Sequence, residues 1–242
     1  MPALVAVAGT SDDAGLRQRA RAIAAMVPML GASARTAGFR AVAAGRWLAE
    51  TVVDLAPHIA VRDAPTLRRQ YQGLSADEIS AKLVTSAART TAALGAAAGS
   101  LAAVEFAAPP ALLAAPVQLA AETLAIVAVE LKLVVELHEI AGLAVPGSMR
   151  ESAPAYLSAW VERRAVRPGE TIGVSGMLGS AAKRALRVRL LKRMARSTTS
   201  MAPLLAGALA GAEANRRATQ DLGEKLRAEL RGMHNRRADI VL

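Results

Sequence analysis

Histidines and carboxylates are the side chains in this sequence that could bind a metal ion or transfer protons. The histidines, His58, His138 and His234, each lie in a different segment of the chain. No two have the spacing that places two ligands on one face of a helix, and Glu136 and His138 lack the Glu-x-x-His spacing of di-iron bundles. The chain has no cysteine, which excludes thiolate metal sites and a cysteine nucleophile. We therefore expect no metal, no cofactor and no catalytic residues.

Glu130 is the carboxylate whose surroundings are predicted to be unusual. In a helix from Glu122 to Ala141, Lys132, Glu136 and Glu139 form one charged stripe. Glu130 lies roughly 160° from Lys132 around this helix, among aliphatic side chains. A buried carboxylate needs an Arg, Asn, Ser or water partner, or it takes up a proton. We predict a structural ion pair or hydrogen bond for Glu130, with proton transfer or ligand binding as the alternative.

Two glycine-rich motifs near residue 175 could suggest a nucleophile or a nucleotide site. Gly173-Val174-Ser175-Gly176 is not the Gly-x-Ser-x-Gly of a nucleophile elbow, and residues 176–179 lack the lysine of a phosphate loop. No strand pattern precedes either motif, as both kinds of site would require. The sequence therefore predicts an ordinary loop at Ser175.

The composition of the chain favours helices that could position these residues. Ala, Leu, Val, Arg and Glu dominate, and these residues favour helices while alternating β-branched runs are scarce. We predict an all-α fold, a compact multi-helix bundle in which Ala and Gly allow close helix packing. Residues 1–36 form a leader and a peripheral helix, residues 37–230 the helical domain and residues 231–242 a tail. No signal peptide is expected, which indicates a cytoplasmic protein. The preference for Arg over Lys, together with abundant Ala and Gly, indicates a bacterial genome of high GC content.

Helix starts are predicted at three places. Pro65 starts a short turn of helix, and Ser75-Ala76-Asp77-Glu78 has the spacing of a capping box. Ser148 and Glu151 repeat this spacing, although Pro154 is also a suitable first helical residue. The helix through Trp160 is predicted with either start.

The least charged stretch runs from Thr90 to Val129 and contains only Glu105 and Glu122 as charged residues. Glu105 divides it into runs that are too short for ordinary membrane spans, and prolines at 109, 110 and 116 interrupt the second run. We predict buried bundle helices here. A shallow hairpin inserted into a membrane is the alternative.

Positive charge is concentrated in the C-terminal part of the chain. Residues 1–149 carry no net charge, whereas residues 150–242 contain 18 Lys and Arg against 8 Asp and Glu. The segment Leu178–Arg196 is predicted to be a basic amphipathic helix with an apolar row for the bundle or a membrane interface. We expect its cations to contact anionic lipid: Lys183, Arg184, Arg187, Arg189, Lys192, Arg193 and Arg196. Nucleic acid is disfavoured as a partner because no aromatic residues are interleaved with these cations.

A row of small and polar residues recurs every four positions after Pro203. Its members are Gly207, Gly211, Asn215 and Thr219. Glycines at this spacing allow another helix to approach at backbone distance, and Asn215 can hydrogen bond across such a seam. We predict a seam within the chain, with a homo-oligomer interface as the alternative.

Four motifs together resemble the EcsC family: YQGLSADE at 71–78, TAALGAAAG at 91–99, ELHE at 136–139 and PLLAGALAGAEAN at 203–215. The resemblance covers residues 65–230. It implies a helical bacterial protein that, in some genomes, is encoded beside an ABC transporter involved in secretion, and it implies no catalytic residues. The expected function is therefore that of a non-catalytic protein at the inner surface of the plasma membrane, with a membrane transporter as a partner. A soluble, self-associating scaffold is the alternative.

Overall fold

The computed structural model describes residues 46–105, 115–163 and 204–241, together with residues 25, 28–34 and 36. These residues form helices and no strand, which confirms the predicted all-α bundle. The helices are α1 (Arg46–Leu55), α2 (Ala64–Gln70), α3 (Ala76–Glu105), α4 (Ala115–Ile140), α5 (Met149–Arg163) and α6 (Leu204–Val241). A 3₁₀ turn, Ala56–His58, extends α1.

The predicted helix starts are formed by side chains that cap free backbone amides. The amide and hydroxyl of Ser75 donate to the Glu78 carboxylate at 2.8 and 2.7 Å, and the Glu78 amide donates back to the hydroxyl at 3.3 Å. This is the reciprocal capping box. Helix α5 begins directly after Ser148, whose amide donates to Glu151 at 2.7 Å, and Pro154 lies inside the helix. Of the two predicted starts of α5, the earlier one is therefore correct.

Helix α4 is the central helix of the bundle. Its side chains from Ala120 to Ile140 are almost all buried, and α1, α2, α3, α5 and α6 all contact it. A helix that is apolar on all sides must be enclosed by other elements or by lipid. The described parts of the weakly charged stretch lie in α3 and α4, which pack against each other in this core. None of the described helices has the length and hydropathy needed to cross a membrane.

Packed structure extends beyond the domain boundaries predicted at residues 36 and 230. Leu30 and Ala34, in the helical residues 28–34, belong to the hydrophobic core. The indole N–H of Trp47 donates to the Ser33 hydroxyl at 3.0 Å and ties this segment to α1. At the other end, α6 continues to Val241 and Met233 packs on the core.

Helices α3 and α6 run antiparallel and approach each other at two glycines. A Cβ atom at Gly223 would lie 2.5 Å from Val84 Cγ2, and one at Gly95 would lie 2.5 Å from Asn215 Nδ2 and 3.4 Å from Ala212 Cα. Contacts as short as 2.5 Å require a side chain to move in a core that is already closely packed. Glycine therefore sets the distance between these two helices.

We predict that Gly223→Ala lowers the free energy of unfolding by about 1 to 3 kcal/mol, because the added methyl group overpacks the contact with Val84. Urea denaturation followed by circular dichroism measures this change. Gly211→Ala is the matched control, since no described atom lies within 4 Å of a Cβ there. The control should raise stability by up to about 1 kcal/mol through helix propensity.

The double variant Val84→Ala/Gly223→Ala should recover part of the loss, because Val84→Ala removes the two methyl groups that the new Cβ meets. The close approach of α3 and α6 would be contradicted if Gly223→Ala stabilised the protein as much as Gly211→Ala does.

Candidate functional site

Glu130 lies at a junction of four helices and is fully buried. The Trp160 indole N–H of α5 donates to its Oε2 at 2.9 Å, and the Thr219 hydroxyl of α6 donates to its Oε1 at 2.8 Å. The Thr91 hydroxyl of α3 lies 3.0 Å from that of Thr219 and can donate to it. Hydrogen bonds of this kind offset the free-energy cost of burying a carboxylate. We refer to Thr91, Glu130, Trp160 and Thr219 as the Glu130 junction.

The polar contacts continue from the Glu130 junction along α6 towards the surface. The Thr91 hydroxyl also lies 3.4 Å from the backbone carbonyl of Asn215, and Asn215 Nδ2 donates to Glu122 Oε1 at 3.4 Å. Both contacts are long and partly buried. Helix α6 therefore donates hydrogen bonds to two carboxylates of α4, Glu122 and Glu130, which lie two helical turns apart.

The predicted four-residue row on α6 is a packing seam at its C-terminal members. Thr219 and Asn215 lie in the seam, and from there it continues through the buried leucines Leu222, Leu226 and Leu230. Gly211 has no described atom within 4 Å of a Cβ position. A row with steps of four turns by about 40° per step, so that Gly207 lies about 120° from Thr219. Gly223, the next position of this row, packs against Val84 of α3, and Gly95 of α3 packs against Asn215 of α6.

Glu136 forms a second buried anionic centre on α4. Arg62 donates to both of its carboxylate oxygens, with Nε 2.8 Å from Oε1 and a terminal nitrogen 2.7 Å from Oε2. Lys132 Nζ lies 2.7 Å from Oε1. Burial raises the pKa of Glu136, but the hydrogen bonds and charges of Arg62 and Lys132 outweigh it and lower that pKa below its ordinary value. The same pairing raises the pKa of Arg62, so the pair stays ionised.

The charged stripe predicted on α4 therefore faces the connection between α1 and α2. The Glu136 carboxylate also accepts the backbone amide of Arg62 at 3.1 Å, and the Glu139 carboxylate accepts the amide of Ala64 at 3.3 Å. Lys132 Nζ donates to the carbonyl of Ala60 at 2.8 Å. These bonds fix an irregular segment of backbone on the central helix.

Three members of these polar clusters, Thr91, Trp160 and Arg62, were not predicted from the sequence. Thr91 and Trp160 complete the Glu130 junction, and Arg62 pairs with Glu136 over 74 residues of chain. One signal was present, because Trp160 lies in a predicted helix and a buried indole N–H usually has a hydrogen-bond partner. No comparable signal pointed to Arg62.

The basic residues predicted to contact lipid lie outside the described residues, and so does Ser175. The cations concerned are Lys183, Arg184, Arg187, Arg189, Lys192, Arg193 and Arg196. Within the described ranges no group of three or more His, Asp or Glu side chains is arranged to hold a metal ion.

The arrangement around Glu130 favours the structural role over the chemical one. Its carboxylate has no solvent exposure, and it does not line the surface groove between α1 and α5. Comparison with known proteins finds no matching family, no matching curated protein and no matching solved structure. The resemblance to the EcsC family stays a prediction from the four motifs.

We predict that Thr219→Val destabilises the protein by about 1 to 3 kcal/mol, because the isosteric change leaves buried polar groups of Glu130 and Thr91 without this partner. Thermal and urea unfolding measure the loss. Thr85→Val is the matched control, since Thr85 is an exposed helical threonine that bonds only within its own turn, to the Ala81 carbonyl. Equal stability of the two variants would contradict the Glu130 junction.

We predict a loss of stability in acid that depends on Glu136. Its pKa is lower in the folded chain than its ordinary value of 4.5, so the unfolded chain takes up the proton first. The stabilisation is therefore complete well above pH 4.5 and is lost as the pH falls through the folded pKa. Glu136→Gln should cost about 3 kcal/mol at pH 7.

Urea unfolding of the parent and Glu136→Gln across this pH range measures the difference, which should shrink in acid. Glu50→Gln, at an exposed carboxylate of α1, should differ little from the parent at every pH. If the difference in free energy of unfolding between the parent and Glu136→Gln stays constant with pH, ionisation of Glu136 does not contribute to stability.

Proposed function

We propose that this chain is an EcsC-like, non-catalytic helical protein that docks on the anionic inner face of the plasma membrane. The observation that carries this proposal is the distribution of charge. Residues 164–203 contain nine Lys and Arg against one Glu and so carry +8 of the net charge of +10. The rest of the chain carries only +2. A short, strongly cationic segment is suited to an anionic surface, because each cation near such a bilayer contributes about 1 kcal/mol.

The arrangement of acidic groups in the bundle is compatible with this proposal. Glu130 and Glu136 are buried on α4, and Glu136 is paired with both Arg62 and Lys132. A carboxylate paired with two cations, as Glu136 is, adds little negative potential at the protein surface, where a lipid headgroup would approach. The bundle therefore opposes docking less than its count of acidic residues suggests.

The proposed function is structural rather than catalytic for a specific reason. Among the carboxylates that the structure describes, Glu130 is the most deeply buried, and it accepts hydrogen bonds from Trp160 and Thr219 and joins helices. A general base must lie within hydrogen-bond reach of a substrate proton, and no solvent reaches Glu130. Association with a membrane transporter is part of the proposal and follows from the EcsC resemblance alone.

We predict that the parent protein binds vesicles containing phosphatidylglycerol and that binding weakens steeply with salt, since charge attraction is screened over roughly 8 Å at physiological ionic strength. The triple variant Arg187→Glu/Lys192→Glu/Arg193→Glu lowers the net charge from +10 to +4 and should abolish binding. Vesicle flotation measures the bound fraction, and circular dichroism checks that the variant is folded.

A matched control reverses three exposed cations of the bundle, Arg68, Arg69 and Arg89, and changes the net charge equally. This control variant should retain most of the vesicle binding if the basic segment 178–196, rather than the total charge of the protein, is responsible. Binding that survives the first triple variant would contradict the proposal. A parent that fails to bind at low salt and has a dimeric mass would favour the self-associating scaffold.

A further inference from the structure

A surface groove of about 450 Å³ lies between the end of α1 and the start of α5. This volume is within the range of small-molecule sites. The apolar lining residues are Val53, Pro57, Ala153, Pro154 and Leu157, and the polar ones are Asp54, His58 and Arg150. The groove therefore combines an apolar lining with one carboxylate, one guanidinium and one imidazole side chain.

The two charged side chains of the groove are accessible to a ligand. Asp54 and Arg150 are exposed and come from different helices, α1 and α5. Within the described part of the chain, no ion pair within 4.0 Å joins them to each other or to another residue. Both groups thus keep their capacity for charge-assisted hydrogen bonds.

His58 adds a third polar group whose orientation is fixed. Its Nδ1 lies 2.9 Å from the backbone carbonyl of Asp54. Because a carbonyl only accepts hydrogen bonds, Nδ1 carries a proton in this contact and Nε2 remains for a ligand.

We propose that this groove binds the zwitterionic headgroup of a phosphatidylethanolamine lipid. The phosphate would pair with Arg150 and the ammonium group with Asp54, while the glycerol and first acyl carbons would cover Pro57 and Leu157. A ligand with only negative charge would meet the Asp54 carboxylate, and one with only positive charge would meet Arg150. A neutral apolar ligand would desolvate both charges without replacing their hydrogen bonds.

This inference rests on the proposed membrane function, because the membrane is the source of the lipid. The groove and the basic segment, residues 178–196, would have different roles. Residues 178–196 would provide attraction to anionic surfaces that depends on salt, whereas the groove would recognise one lipid through directed contacts. Such contacts, with a phosphate and an ammonium group on either side, depend less on ionic strength than surface attraction does.

Isothermal titration calorimetry measures the binding of dihexanoyl phosphatidylethanolamine, kept below its critical micelle concentration, to the full-length protein. Arg150→Gln and Asp54→Asn should each weaken binding about tenfold, as loss of one hydrogen bond to a charged group implies. Arg89→Gln and Asp221→Asn make the same changes at exposed positions outside the groove and should bind as the parent does. Circular dichroism confirms that all four variants are folded.

Two further titrations identify the chemistry that is recognised. Dihexanoyl phosphatidylcholine should bind more weakly, because its quaternary ammonium cannot donate a hydrogen bond to Asp54. Glycerophosphoethanolamine, which lacks acyl chains, should compete but bind more weakly than the lipid if the apolar lining contributes. Equal binding of this soluble headgroup and the lipid would show that the ligand is a free phosphoethanolamine compound and would overturn the lipid assignment.

Failure of this inference differs from failure of the proposed function. If the parent does not bind the short-chain lipid, or if the groove variants bind it as well as the control variants do, the groove assignment is wrong. Flotation with vesicles of phosphatidylglycerol and phosphatidylcholine, which contain no ethanolamine lipid, tests the basic segment separately. Binding there with no calorimetric signal would retain the proposed function and reject the groove.

Discussion

The structure depends on burying a helix that carries carboxylates. Helix α4 is enclosed by the other described helices, yet it bears Glu122, Glu130 and Glu136 within a mostly aliphatic surface. Each carboxylate needs donors once it leaves water, and a missing donor would cost far more than a missing aliphatic contact. The surrounding elements can therefore pack only where they bring donors to these positions. Helix α6 supplies Asn215 and Thr219, α5 supplies an indole, and the α1–α2 connection supplies Arg62.

This constraint gives a specific arrangement to a core of similar side chains. Ala, Leu and Val could pack in several alternative registers, because one aliphatic contact resembles another. The hydrogen bonds from Thr219 to Glu130 and from Asn215 to Glu122 are compatible with one register of α6 only. The contact of Gly223 with Val84 sets the distance in the same register. Polar bonds and close contacts thus specify together what hydrophobicity alone would leave open.

The sequence predicted the class of fold and several local features, because these depend on neighbours along the chain. The capping box at Ser75 and the helix through Trp160 follow from spacing of three or four residues. The angular position of Glu130 on its helix follows from helix geometry in the same way. The partner of each buried carboxylate could not be predicted, because periodicity gives the direction of a side chain and not the helix opposite it. Arg62 lies 74 residues from Glu136, and nothing in either local pattern connects them.

The predicted row on α6 follows from spacing along the chain in the same way. A step of four residues drifts by about 40° around a helix, so a seam between two long helices also uses steps of three to stay on one face. Asn215, Thr219, Leu222 and Leu226 follow that alternation. Gly223 continues the same row, four residues after Thr219, and it lies in the seam as Gly95 of α3 does, whereas no described atom lies within 4 Å of a Cβ position at Gly211.

The environments of the two tryptophans have a spectroscopic consequence. The chain contains only Trp47 and Trp160; one donates to the Ser33 hydroxyl at the attachment of residues 28–34, and the other donates to the Glu130 carboxylate at the junction of four helices. Indole emission responds to the polarity and hydration around the ring, so each tryptophan acts as an intrinsic fluorophore for a different part of the molecule. Replacing one ring by phenylalanine would leave the other as a single reporter, and the order in which the two signals change during unfolding would distinguish detachment of the peripheral helix from opening of the core.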